Sequence, residues 1–227
     1  MKQWHSSLWL CILMISAASA QTTAPSTRPV VPIDPSTPRG ALKALLSAMQ
    51  VGDVEAIRAR IMISSPAEDQ MVSAMARMAQ ADHNLRKTAE QVFGKEESKK
   101  LGDPEANFTE AMMRLDAADE TIDGSSASVS GAGEDAKPVT LRLVDGSWRI
   151  PASEFSRGAD EYTITQRVRT VDAGIAVYVE LIDELQAGKF KTADEAGEAF
   201  RGRVMIAMMR QSVTEPTTQA TQPTTQP

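Results

Sequence analysis

This 227-residue chain is poor in the residue types that build most active sites. It contains one cysteine, two histidines and only 4% aromatic residues. A single cysteine cannot form a disulfide within the chain, and cysteine–histidine metal sites or catalytic pairs have too few members. The sequence also has no Gly-x-Ser-x-Gly motif, no phosphate-binding glycine loop and no calcium-loop spacing. We therefore predict no catalytic residues, no cofactor and no metal site.

Long apolar runs are also scarce, and the one near the N-terminus is short. Residues 1–20 have the pattern of a secretory signal peptide: Lys2 gives a basic start, residues 8–15 are apolar, and small residues end at Ala20. The apolar run is too short to span a bilayer. We expect export, either periplasmic or secreted, with cleavage near Ala20 and no membrane span afterwards. An uncleaved N-terminal anchor is the alternative.

Positive charge is in deficit, because the formal net charge is −6. This balance argues against nucleic acid and anionic membrane surfaces as partners. Residues 21–37 are rich in Thr, Pro and Ser, and residues 212–227 are rich in Thr, Gln and Pro. Neither segment can bury enough apolar area to offset the entropy of ordering. We interpret the first segment as a linker and the second as a disordered tail. Residues 38–211 remain as one domain, long enough for a single core.

Residues 119–150 are the part of this domain that has the pattern of β-structure. Val139, Leu141 and Leu143 alternate with other residues, which indicates a half-buried strand. Asp145-Gly146 follows at once and predicts a tight hairpin, since glycine adopts positive φ at little cost. With weaker strands upstream, the stretch predicts an antiparallel meander of three or four strands.

The rest of the domain has helical periodicity and predicts about six helices. A capping box at Ser65 opens a long helix to Phe93, and its seam steps by four and three as in a coiled coil. That seam comprises Met71, Met75, Met78, Asp82, Leu85, Ala89 and Val92. A second stripe, with the same spacing, comprises Ile164, Val168, Val171, Ile175, Tyr178, Ile182 and Leu185. It belongs to a predicted helical hairpin over about residues 160–210. The fold class is therefore α+β, mainly helical.

Three residues are candidates for contact with a ligand, because a small sheet against helices can leave a pocket at its mouth. Trp148 and Arg149 lie on opposite faces of the last strand. We favour core packing for Trp148, with ligand stacking as the alternative. We favour a solvated position for Arg149, with anion binding as the alternative. Tyr162 either packs between helices or contacts a ligand.

Two motifs resemble the nuclear-transport-factor-2-like cone fold, including its exported bacterial members. One is the helix pair RGALKALLSAMQVGDVEAIRARI with its Gly-Asp junction, and the other is the closing hairpin KPVTLRLVDGSWRI. The resemblance covers residues 38–151 and implies a curved sheet closed by helices, often around a pocket and often dimeric. The family includes isomerases, dehydratases and many non-catalytic members. Asp82 and His83 do not match the acid–base pair of its catalytic members.

The leading functional hypothesis is an exported, non-catalytic module that binds a partner protein or a small apolar ligand. A cone-fold enzyme acting on a small organic substrate is one alternative, and the resemblance alone suggests it. A structural helical protein that self-associates through the stripe of residues 164–185 is another. A homodimer is compatible with each of the three hypotheses.

Overall fold

The computed structural model describes residues 33–131 and 137–213. The predicted signal peptide, most of the predicted linker, the loop at 132–136 and the tail beyond residue 213 lie outside these residues. The described part is α+β and mainly helical. Its eight helices are α1 (Pro38–Val51), α2 (Val54–Ala59), α3 (Pro66–Phe93), α4 (Lys95–Ser98), α5 (Pro104–Asp116), α6 (Ser153–Ser156), α7 (Glu161–Gln186) and α8 (Ala193–Val213).

The helices begin where short polar side chains accept hydrogen bonds from the first free backbone N–H groups. The cap predicted at Ser65 is present, and Thr37, Asp53 and Asp103 cap their helices in the same way, each accepting from the N–H group three residues later. Asp160 caps α7 in the same way. The prediction of about six helices misses α4 and α6, because helices of four residues are too short to show a period.

The sheet has five strands: β1 (Ile61–Met62), β2 (Asp119–Asp123), β3 (Ser126–Ser130), β4 (Val139–Val144) and β5 (Ser147–Pro151). Their order is β1-β5-β4-β3-β2. Strands β2 to β5 form the predicted antiparallel meander. The predicted meander did not include β1, which adds a fifth strand and pairs with β5 in parallel. Strand β1 was missed because two residues are too few to show an alternating pattern, and its partner strand lies almost 90 residues further along the chain.

The main hydrophobic core lies between the inner face of the sheet and helices α1 and α3. Leu141, Trp148 and Ile150 point inward from the sheet and are buried. From the helices, Leu45 and Val72 enter the same cluster, together with several alanines. The inner face of this sheet is therefore filled by side chains of the chain itself.

Helix α3 also packs along α7, and the two predicted stripes meet there. Met71 and Met75 pack near Ile164 at one end, and Leu85 packs near Leu181 further along. Val92, the last residue of the predicted α3 seam, is instead 41% exposed. Four residues of the stripe, Ile164, Val171, Tyr178 and Leu185, are buried within the chain, and Val168, Ile175 and Ile182 are half-buried. Self-association through this stripe and a homodimer both stay predictions.

Helices α7 and α8 form the predicted hairpin. The rings of Tyr178 and Phe200 meet edge to face, with centroids 4.8 Å apart. Farther along, Arg203 pairs with Glu184 at 2.7 Å. Helix α8 continues to Val213, two residues beyond the predicted end of the domain at residue 211.

Gly52 follows the last residue of α1 and lies close to the backbone of α3, which gives a test of the packing. Its φ is +67°, and a Cβ built there would lie 2.8 Å from Cα of Gln80. Gly124 also has positive φ (+58°), but no atom lies within 4 Å of its Cβ position. We predict that Gly124→Ala lowers the free energy of unfolding by about 1 kcal/mol, from backbone strain alone. Gly52→Ala should lower it by about 2 kcal/mol or more, because a backbone atom of α3 must also move.

Chemical denaturation of the two variants measures this difference. Equal losses for Gly52→Ala and Gly124→Ala would show that α1 does not pack against α3 as closely as described.

Candidate functional site

The three residues predicted as ligand contacts lie in different environments. Trp148 is 5% exposed and belongs to the main core. Arg149, the next residue, is half-buried on the opposite face of β5. Tyr162 is 61% exposed in the first turn of α7. Trp148 and Arg149 therefore cannot line one pocket, and Arg149 lies on the outer face of the sheet.

The outer face of the sheet is polar because outward residues alternate with the buried ones. Strand pairing aligns four of these residues in one row across β2, β3, β4 and β5. The row comprises Asp123, Ser126, Arg142 and Arg149. A neighbouring row comprises Thr121, Ser128 and Thr140. We call these seven residues the outer sheet face; each of them is exposed or half-buried.

Arg142 and Arg149 stand directly opposite each other on adjacent antiparallel strands. Like charges in this position repel and destabilise a sheet. Within the described ranges, neither side chain makes an ion pair or a hydrogen bond, and Nε of Arg149 is buried without a partner. An unpaired buried donor has an unfavourable free energy of desolvation. The pair is thus an unfavourable arrangement that nothing else described in the chain relieves.

A third arginine lies beside the same strand. The carbonyl of Arg60, just before β1, accepts a hydrogen bond from the N–H of Ile150 at 2.9 Å. Its side chain is half-buried and also has no ion pair among the described residues. The carboxylate in the row, Asp123, lies two strands away from Arg142, with Ser126 between them. The centre of the outer sheet face is therefore locally positive in a chain that is acidic overall.

Sequence reasoning named Arg149 but missed Arg142. The signal was present in the hairpin, because a two-residue turn fixes the register of both strands. Asp145 and Gly146 both have positive φ (51° and 75°), as a type I′ turn requires. Counting outward from that turn places residue 142 opposite residue 149.

A second polar cluster lies where α1, α3 and α7 meet, and its groups are satisfied internally. Asp82 interrupts the α3 seam and pairs with Arg86 at 2.6 Å. Arg86 and His83 both approach the carbonyl oxygen of Gln50, each at 3.3 Å, near the C-terminal end of α1. These contacts link α1 to α3.

Burial governs the protonation of this cluster. Burial raises the pKa of Asp82, and the charges of Arg86 and His83 oppose this rise. The Asp82 side chain is still 42% exposed. Burial likewise raises the pKa of Tyr178 above its usual range; the charge of Asp82 adds to the effect and Arg86 opposes it. Both groups therefore favour their neutral forms more than they would in water.

Two open cavities occur on the helical side of the described molecule. One, of about 440 Å³, is a groove between α3 and α7. Its lining comprises Asn84, Lys87, Thr88, Gln91, Val179, Ile182 and Gln186. The other, of about 360 Å³, lies where α3 and α7 begin and includes Ser65, Glu68, Ser156 and Glu161. Neither cavity includes Trp148, Arg149 or Tyr162.

Two carboxylates near the start of β2 have partners within the chain. Asp116 pairs with Lys43, and Glu120 accepts a hydrogen bond from the backbone N–H of Arg39 at 2.9 Å. Over the described residues, no group of three or more His, Cys, Asp or Glu side chains is arranged to hold a metal ion. Among the helices described, none has the length and apolar character needed to cross a membrane.

Comparisons of the chain with protein-family models, curated proteins and solved structures found no match. The resemblance to the cone fold therefore stays a prediction.

The titration of Tyr178 gives a test of the buried cluster. An unfolded tyrosine loses its proton near pH 10, whereas the folded protein retains it to higher pH because the pKa is raised. The unfolded state then binds fewer protons, so the free energy of unfolding falls as pH rises above about 10, by up to about 1.4 kcal/mol per pH unit. We predict that Tyr178→Phe removes this part of the slope.

Tyr162→Phe is the matched control, because Tyr162 is the other tyrosine of the chain and is largely exposed. Denaturation curves from pH 9 to 11 measure the slopes. If both variants changed the slope equally, the burial of Tyr178 against Asp82 would be wrong.

The opposed arginines of the outer sheet face give a second test. Because Arg142 repels Arg149 and has no ionic partner among the described residues, Arg142→Gln should raise the free energy of unfolding by about 0.2–1 kcal/mol. The gain should shrink as added salt screens the repulsion. Arg77→Gln, which removes one partner of the Arg77–Asp172 pair, should not stabilise the protein. A loss of stability in Arg142→Gln at low salt would contradict the described isolation of this pair.

Proposed function

We propose that this chain is an exported, non-catalytic binding module that docks a partner protein on the outer sheet face. The proposal rests on the opposed pair Arg142 and Arg149. Arg142 is exposed, Arg149 is half-buried, and neither side chain has a partner among the described residues. Export rests on the sequence pattern of residues 1–20.

The two faces of the sheet differ in a way that favours a partner protein over a small apolar ligand. The inner face is packed by Leu45 and other α1 and α3 side chains, and Trp148 is part of that core. A small apolar ligand at Trp148 would have to displace these residues. The outer sheet face instead offers hydroxyl and guanidinium groups on a rigid support, which suits recognition of polar groups on a protein surface.

The rows of the outer sheet face also suit an extended polypeptide. Residues two apart on a strand are separated by roughly 6.6 Å, in the sheet and in an extended peptide alike. A segment lying along the strands would therefore place alternate side chains on the arginine row and on the hydroxyl row that contains Ser128 and Thr140. This spacing supports docking of an extended segment.

Site-specific photocrosslinking in the host organism tests the proposal. A photoreactive amino acid replaces Thr121, which is exposed on the outer sheet face, in one version of the full chain. In the control version it replaces Val179, which is 50% exposed and lines the groove between α3 and α7. We expect a covalent adduct with another protein from position 121 and none from position 179.

The control position distinguishes the outer sheet face from the competing groove. Adducts from position 179 alone would assign binding to the helical groove and contradict the proposal. Absence of adducts from both positions, in folded and exported protein, would contradict a partner-binding role as well.

A further inference from the structure

We infer that Arg142 and Arg149 form a carboxylate-binding site that accepts an Asp or Glu side chain from an extended acidic segment of the partner protein. This inference rests on the proposed function, since it names the chemistry by which the outer sheet face would recognise its partner. It concerns residues that make no contribution to the core.

The geometry of the arginine pair suits one carboxylate between two guanidinium groups. Residues opposite each other on antiparallel strands have Cβ atoms roughly 4.5–5.5 Å apart, and the pairing of Arg142 with Arg149 is of this kind. Each guanidinium presents planar N–H donors that match the two oxygens of a carboxylate. An anion placed between them turns the mutual repulsion into two attractions.

The pairing of other arginines shows that internal carboxylates are available in this acidic chain. Arg58 pairs with Asp69, Arg77 with Asp172, and Arg86 with Asp82. The outer sheet face has a carboxylate in the same row, but Asp123 is separated from Arg142 by the strand that carries Ser126. The pair therefore remains open to an anion from outside the described chain.

Charge and spacing favour a side-chain carboxylate over a phosphate-rich polyanion. The local positive charge consists of Arg142 and Arg149, with Arg60 beside β5, while the whole chain carries a net charge of −6. A long polyanion, such as a nucleic acid, would extend beyond the arginines and be repelled by the rest of the surface. A short acidic segment meets chiefly the local positive charge. Its neighbouring polar groups would reach the hydroxyls of Ser128 and Thr140.

Binding of hexaglutamate to the purified protein tests the inference, with inorganic pyrophosphate as the second probe. Calorimetry at low ionic strength should show binding of hexaglutamate to the unmodified protein, weakened by added salt. Arg142→Gln and Arg149→Gln should each weaken it at least about tenfold, because each removes a charge-assisted hydrogen-bonding partner. Arg142→Lys should restore part of the affinity, since it keeps the charge but loses the planar fork.

Arg114→Gln is the matched control, because Arg114 is an exposed arginine on α5 that pairs with Glu110. This variant should bind hexaglutamate as the unmodified protein does. Circular dichroism and denaturation curves confirm that each variant is folded; Arg142 is exposed, so its replacement leaves the core intact. If Arg149→Gln did not fold, Arg142→Gln and Arg142→Lys would still test the carboxylate-binding site.

Three results would overturn the inference. The first is equal affinity of hexaglutamate for the unmodified protein and Arg142→Gln. The second is no measurable binding of hexaglutamate at millimolar concentration. The third is arginine-dependent binding of pyrophosphate without binding of hexaglutamate, which would assign the pair to phosphate groups instead. If an Arg142→Gln, Arg149→Gln double variant still gave the adduct from position 121, the proposed function would stand and only the carboxylate site would fail.

Discussion

Burial of helix α3 on several sides is the constraint on which the rest of the structure depends. This one helix contributes to all three hydrophobic clusters of the described molecule. Val72 and Ala76 pack with α1 and the sheet, Leu85 and Ala89 pack with α7 and α8, and Met71 joins a third cluster near the start of α7. Its many alanines permit this, because small side chains let neighbouring helices approach closely. The sheet, the helical hairpin and the N-terminal helix pair are held together through α3.

Local features of the fold were predictable because they depend on neighbours in the sequence. Side-chain caps at Thr37, Ser65 and Asp103, the alternation in β4 and the turn at Asp145 need only a few residues to be recognised. Features that depend on distant partners were not predictable. Strand β1 exists because its two residues meet β5, and nothing near Ile61 in the sequence signals that pairing.

The site was predictable to the same limited extent. Arg149 was identified as a candidate because it alternates with buried residues, and its partner Arg142 follows from the register of the two-residue turn. The absence of an ionic partner for either residue is a property of the folded chain. Asp116 precedes β2 by only a few residues, but its carboxylate pairs with Lys43 on α1. Such competition between charged groups is decided in three dimensions, and sequence spacing does not reveal it.

Two features break the local pattern of this sequence, one at Asp82 and one at the pair Arg142 and Arg149, and the fold responds to them differently. Asp82 puts a carboxylate into an apolar seam, but Arg86 pairs with it and Tyr178 beside it keeps its proton, so the chain compensates the charge itself. Arg142 and Arg149 put like charges opposite each other, and no described residue compensates them. Folded proteins retain unfavourable local arrangements chiefly where function requires them. The described chain thus compensates Asp82, whereas the uncompensated arginine pair supports the proposed docking of a partner protein.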